Sequence, residues 1–182
     1  ETCRVVNQDF ECNDHLPTVQ TSLQIALQEM RTIATSLGLP QLDNMPLTEV
    51  FARVVRSHEK RTRTKVTLNI NNLPEQATLP AKITIYRVIQ EALNNAYIHA
   101  GGMDQQVRAN FENGLLQIEI SDKGRGFDVS LPIEWDNHLG LAGMRERVES
   151  LGGLFEIQSV ISEGTIVNAN LFLQDMDVYA DR

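Results

Sequence analysis

Leu23, Ile25, Ala26, Leu27, Met30, Ile33, Ala34 and Leu37 recur at helical spacing until Gly38 and Pro40 interrupt them. Pro17 suits a first helical position, so the spacing predicts a helix from Pro17 to Leu37. Its apolar stripe is wide for a lone surface helix and calls for a partner helix or a dimer. A second helix starts at Pro46 and turns Leu47, Val50, Phe51, Val54 and Val55 inward. Its end is basic, with Arg53, Arg56, Lys60, Arg61, Arg63 and Lys65. Such residues oppose the dipole at a helix C-terminus, and docking of an acidic partner is the other reading. The pattern then changes to period two at Val66, Leu68 and Ile70, a strand. A long helix follows from Leu79 to Ala100. Val107, Ala109 and Phe111, an Asn113-Gly114 turn, and Leu116, Ile118 and Ile120 predict a β-hairpin. A further helix runs from Leu141 to Leu151. Leu154 to Val160 and Thr165 to Leu173 form a last hairpin across Ser162-Glu163-Gly164.

The order is αα, then βαββαββ. A doubly wound parallel sheet needs steady βα alternation, which is missing. The expected class is α+β, a two-layer α/β sandwich with helices on one face of the sheet. At 182 residues, and roughly 150 per domain, one domain with a helical extension fits better than two full domains. The boundaries expected are a lead-in over 1–16, a helical segment over 17–62, a main domain over 63–176 and a tail over 177–182.

Charge narrows the function. Lys and Arg number 16 against 24 Asp and Glu, a net charge of −8. This argues against broad nucleic-acid binding, which needs a basic surface, and against docking on anionic lipid. No stretch approaches the roughly 18 consecutive apolar residues of a spanning helix. The sequence begins at Glu1 and reads as a processed or excised piece of a longer protein. Cys3 and Cys12 lack a CxxC pair or a second Cys/His cluster, so they read as free thiols rather than zinc ligands.

Four groups of residues carry candidate chemistry. On the long helix Glu91, Asn95 and His99 are spaced i, i+4, i+8 and share a stripe, with Asn94 beside it. A carboxylate, an amide and an imidazole are costly to bury without purpose. Either the stripe is an exposed polar face, or its hard oxygen atoms suit Mg²⁺ and phosphate. Next, Asp122 to Phe127 follows a predicted strand, with Gly124 and Gly126 one residue apart. These glycines let the backbone approach a ligand closely. Alone the loop is also compatible with a surface turn. It is not the dinucleotide fingerprint, because no helix opens at a third glycine. Third, Gly140, Leu141, Gly143 and Met144 lead into a helix, whose free N–H groups and dipole favour an anion. Polar Val129 to Leu139, between the second and third groups, has the length of a lid. Gly164-Thr165 closes the set at the last hairpin turn.

In this order, the four groups resemble the nucleotide-binding domain of sensor histidine kinases, within the gyrase, chaperone and mismatch-repair ATPase superfamily. Tyr86 to Asn95 together with Gly140 to Arg147 looks like the nitrate-sensor type. The resemblance covers roughly Thr18 to Leu173 and implies a Bergerat-type ATP-binding fold preceded by a helical dimerisation segment. It further implies that Asp122 accepts from the adenine amino group, with Gly124 and Gly126 under the base. Asn95 would hold Mg²⁺ with Glu91 beside it as the catalytic pair, and Asn94 and His99 would face the phosphates and ribose. Gly140, Leu141, Gly143 and Met144 would wrap the phosphates, and Thr165 would support Asp122. ATP and Mg²⁺ are the implied cofactors. A response regulator receiver domain and a second copy of the full-length protein are the implied partners, with no nucleic acid. The implied setting is a cytoplasmic domain, of a parent that inner-membrane anchoring would suit.

Two positions depart from the family pattern. Ile98 stands where a basic residue often precedes the histidine, so one phosphate contact is missing or comes from elsewhere. Lys123 stands where an acidic residue is common. The helix Pro17 to Leu37 resembles the second helix of a dimerisation hairpin, and the acceptor histidine belongs on a first helix that this sequence lacks. His15 lies too close to the second helix for that role, and His58 and His138 read as surface or lid residues. The expected function is transfer of the ATP γ-phosphate to that histidine, for relay to a response regulator. The alternatives are a non-phosphorylating ATP-dependent regulator, a degenerate kinase, and an anti-sigma-type serine kinase, against which the preceding helix counts.

Overall fold

Residues 41–128 and 139–173 are described in the computed structural model. Cys3, Cys12, His15, the helix Pro17 to Leu37, residues 129–138 of the expected lid, and the tail lie outside them. The chain divides into two compact units, Glu1–Pro40 and Gln41–Arg182, and the described residues all belong to the second.

Its elements are α1 (Leu47–Thr62), β1 (Val66–Asn71), α2 (Leu79–Ala100), β2 (Gln105–Glu112), β3 (Leu115–Asp122), α3 (Leu139–Glu149), β4 (Leu154–Val160) and β5 (Gly164–Phe172). The expected α+β order is present. The Thr78 side chain accepts from the Ala81 N–H at the start of α2, and Pro80 stands in the first turn. Gly101 ends α2 in the left-handed region, its N–H bonded to Ala96 O. Helix α3 starts and ends two residues before the expected Leu141–Leu151. Gly140 is thus inside its first turn rather than in front of it.

The sheet runs β1-β2-β3-β5-β4. Strands β1 and β2 are parallel, joined through α2, and the other pairs are antiparallel. Period two and register together make apolar rows across all five strands. Leu68, Val107, Ile120, Val167 and Ile157 form one row, and Ile70, Ala109, Ile118, Ala169 and Phe155 the next. Helices α2 and α3 pack on the sheet, α2 against β2, β3 and β5 and α3 against β4 and β5. The alternate row, Asn69, Arg108, Glu119, Asn168 and Glu156, is polar. In it Arg108 Nη1 pairs with Glu119 Oε1 across strands at 3.1 Å.

Helix α1 buries all five expected residues against α2. The sequence reading grouped it with a helical segment ending at residue 62, but it belongs to the unit that starts at Gln41. Its apolar face finds its partner on α2. The polar interior Lys82 joins the preceding loop to α2, donating to Asp43 O at 2.7 Å and Gln76 Oε1 at 2.9 Å.

The C-terminal end of α1 is held by a buried polar hub. His58, expected at the surface, is only 3% exposed. Its Nε2 lies 3.1 Å from Gln105 Oε1, and its ring stands edge-on to Tyr97. Gln105 Nε2 donates to Leu93 O at 2.9 Å, and Thr64 Oγ1 donates to Gln105 Oε1 at 3.0 Å. Burial pushes the His58 pKa below its ordinary value and nearby Arg61 adds to this, while the Gln105 hydrogen bond and Glu59 oppose it.

A lowered folded-state pKa means that, below the unfolded value of about 6.5, the unfolded chain binds the extra proton. His58 therefore leaves stability intact above that pH and reduces it as pH falls towards the folded-state pKa. The melting temperature should fall between about pH 7.5 and 5.5 more in the unsubstituted chain than in His58→Gln. Parallel curves for the two would show that another group carries the dependence.

Candidate functional site

The β3–β5 register sets Asp122 opposite Thr165. Beyond Asp122 the chain turns, and Asp122 Oδ1 accepts from the Gly124 N–H at 2.8 Å. Three more bonds pin the loop. The Lys123 N–H donates to Met103 O at 3.0 Å, the Ser162 N–H donates to Arg125 O at 2.8 Å, and the Phe127 N–H donates to Ser159 Oγ at 2.9 Å. A Cβ at Gly124 would overlap Ala100, in the last turn of α2. Gly126 has φ +56°, and a Cβ there would overlap the Val160 carbonyl. The two glycines thus bring one loop against the helix on one side and the β4–β5 hairpin on the other.

Ser159 is a buried hydroxyl that the sequence reading missed. It donates to Gly164 O at 2.9 Å and lies 3.0 Å from Thr165 Oγ1. A serine has one hydroxyl proton, so Thr165 donates to Ser159. The signal was present: Ser159 takes the inward parity of Phe155 and Ile157 on β4. Asp122 is half-buried, and burial pushes its carboxyl above the ordinary value, while the Gly124 N–H pulls it back. A carboxylate partly stripped of water is a strong acceptor for a ligand N–H.

Along α2, Glu91, Asn94 and Asn95 are half-buried and His99 is exposed. Ile98 is 61% exposed. The start of α3 comes down on this stripe, so that a Cβ at Gly140 would overlap Glu91 Oε1. Leu141 is half-buried, whereas Gly143 and Met144 are buried, the Met144 side chain wholly in the core. Met144 therefore offers a ligand backbone only. Arg147 lies over Gly143, with Nη1 2.8 Å from where a Cβ would be. Burial lowers the pKa of Arg87, Tyr86 raises it, and the like charge of Arg147 lowers it further. Arg61 of α1 donates from Nη2 to Asn94 Oδ1 at 3.1 Å. The sequence reading named Arg61 only in the basic end of α1 and Arg87 and Arg147 only within motifs; it missed these contacts, because they join elements distant in sequence.

Asp122, Gly124, Gly126 and Thr165 thus meet at the C-terminal end of α2, and Glu91 and Gly140 meet two to three turns earlier, with Asn94 and Asn95 between. Among the described residues no three His, Cys, Asp or Glu side chains group as a metal cage. Glu91 and Asn95 offer hard oxygens from one helix face, a donor set that suits an ion completed by ligand oxygens and water.

The family of histidine kinase-, DNA gyrase B- and HSP90-like ATPases matches residues 81–175. The sensor histidine kinase MctS of Rhizobium johnstonii is 30% identical over 76% of this chain and 30% of its own length. The oxygen sensor histidine kinase NreB of Staphylococcus carnosus is 28% identical over 91% of this chain and 47% of its own. The chain thus spans less than half the length of either relative. Among solved structures, the histidine kinase domain of the Erythrobacter litoralis EL346 blue-light activated histidine kinase superposes with a TM-score of 0.60. It is 22% identical, over 75% of this chain and 66% of that one, a likeness of fold.

Gly124→Ala should destabilise the protein by about 1–3 kcal/mol, the usual cost of overpacking, because the new methyl meets the backbone side of Ala100. Gly101→Asn, at a left-handed cap with open space around it, should stay within about 1 kcal/mol of the parent. Urea unfolding of both variants checks the contrast, and equal stabilities would remove the close approach as its cause.

Proposed function

Because this chain belongs to the histidine kinase-, DNA gyrase B- and HSP90-like ATPases, we propose that it is the ATP-binding catalytic module of a two-component sensor histidine kinase. Its chemistry is transfer of the ATP γ-phosphate to a histidine on a dimerisation helix, for relay to a response regulator receiver domain. The full-length protein then works as a homodimer on the cytoplasmic side. Among the described residues no helix is long and apolar enough to cross a membrane. The observation that carries the reading is that two segments close on α2: the loop of the half-buried Asp122 carboxylate meets its C-terminal end at Ala100, and the start of α3 meets Glu91, one turn before Asn95.

Between the Gly140 contact at Glu91 and the Gly124 contact at Ala100 lie about 13 Å of helix, at about 1.5 Å per residue. That length takes a base, a ribose and phosphates laid in line. Asp122 accepts from the exocyclic amino group of adenine. Gly124 and Gly126 let the base lie on the loop, and the Ser159–Thr165 pair holds the strand end behind it. The start of α3 directs N–H groups and its dipole at the phosphates. Glu91 and Asn95 would hold Mg²⁺, which keeps few protein ligands and shares phosphate oxygens. When bound, Mg²⁺ offsets phosphate charge during transfer. Asn94 and His99 flank the ribose and phosphates. The second reading, a degenerate kinase or ATP-driven regulator that binds without transferring, draws on the exposed apolar Ile98 beside the stripe.

Calorimetric titration with a non-hydrolysable ATP analogue and Mg²⁺ should give a Kd between about 1 μM and 1 mM. Asp122→Asn should weaken ATP by about ten- to a hundred-fold, as a hydrogen bond to a charged acceptor implies. GTP, which lacks that amino group, should lose less, and equal losses would make Asp122 a structural turn residue. Asn95→Ala should abolish Mg²⁺-dependent transfer to a supplied histidine-bearing helical hairpin yet leave adenosine binding in place. A hairpin never labelled by the unsubstituted protein, despite ATP binding, would favour the regulator.

A further inference from the structure

Of the basic run that ends α1, Arg56 pairs with Glu49 and Lys65 with Glu59. Arg61 differs, since it donates to the neutral amide of Asn94, 33 residues away on α2. An amide orients a guanidinium without neutralising it. Asn94 precedes Asn95 and shares a ridge with Ile98 one turn on, where neighbouring side chains are about 5–6 Å apart at Cβ. The stripe from Glu91 to Ile98 contains one carboxylate and no cation of its own. A triphosphate laid there meets Glu91 repulsion and needs positive charge from another element.

We propose that Arg61 is that charge, a binding residue that reaches from α1 to the phosphates of the nucleotide beside Asn94 and Ile98. The inference rests on the ATP reading of the α2 surface. Its placement follows from the hub beneath it. His58, one turn earlier on α1, is locked to Gln105 and packed on Tyr97 of α2. Arg63 then ends the helix in the left-handed region, its N–H bonded to Glu59 O at 2.8 Å. The end of α1 therefore cannot slide along α2 without breaking buried bonds. The bond to Asn94 uses one of five guanidinium N–H donors, and arginine forks match phosphate oxygens.

The test measures binding of a non-hydrolysable ATP analogue and of adenosine to the full chain and its variants. Arg61→Gln should weaken the ATP analogue about tenfold, leave adenosine unchanged, and lose this difference at about 1 M salt, where the Debye length is about 3 Å. Arg61→Lys, which keeps the charge, should stay within about threefold of the parent, and adding Ile98→Lys to Arg61→Gln should restore most of the lost affinity. Unchanged ATP affinity in Arg61→Gln overturns the inference, as does an equal loss for adenosine, which would signal disturbed packing. Failure of Ile98→Lys to rescue overturns the placement beside Ile98. If the unsubstituted chain binds no ATP analogue, the site reading itself fails, separately from the role of Arg61.

Discussion

The meeting of loop backbone and helix end at Gly124 and Ala100 governs the site. It is possible only without a side chain at residue 124, and it brings the end of β3 against the end of α2. Two residues before this contact the Asp122 carboxylate is half-buried, and burial raises its pKa. Ala100 lies nine residues, about two and a half turns, beyond Glu91 and five residues beyond Asn95, so the same contact fixes how far along α2 the Asp122 loop stands from both. Were the loop free to swing, each group would exist singly, as a surface turn, a polar helix face and a glycine-rich helix start.

A second constraint acts from behind. Gln105 opens β2, yet it binds Leu93 O on α2, Thr64 after α1 and His58 within α1. One buried amide thereby fixes two helices relative to a strand. Replacing such a network piecemeal leaves orphaned polar atoms at a cost of about 1–3 kcal/mol each. The hub therefore specifies the α1 position more sharply than apolar contacts alone, which tolerate sliding. Orientation of Arg61 towards Asn94 is a consequence of that specificity.

Much of this was legible in the residues. The limits of α2, the inward face of α1 and the Asn113-Gly114 turn follow from local period and turn chemistry, and all three stand in the structure. The order of strands did not follow, since β5 returns between β3 and β4 through pairing that no local pattern encodes. His58 looked like a surface residue because its partner Gln105 is 47 positions away. Helix α1 looked like an extension because the face it covers belongs to another helix. Of the candidate site, the residue types and their order were readable. The supporting contacts of Ser159 and Arg61 were not, because a lone serine or arginine has many uses and only the fold selects one.

Charge illustrates the same division between composition and place. A net charge of −8 disfavours a long polyanion, whose many phosphates sample a wide surface and release counterions only to a broad basic face. It does not disfavour a small anion, because screening confines the field that matters to about 8–10 Å. Within that range the count is local: the α3 dipole and Arg61 beside Asn94, against Glu91. An acidic chain can thus exclude nucleic acid and still bind a nucleotide. The second property depends on contacts made by folding, not on the sum of its residues.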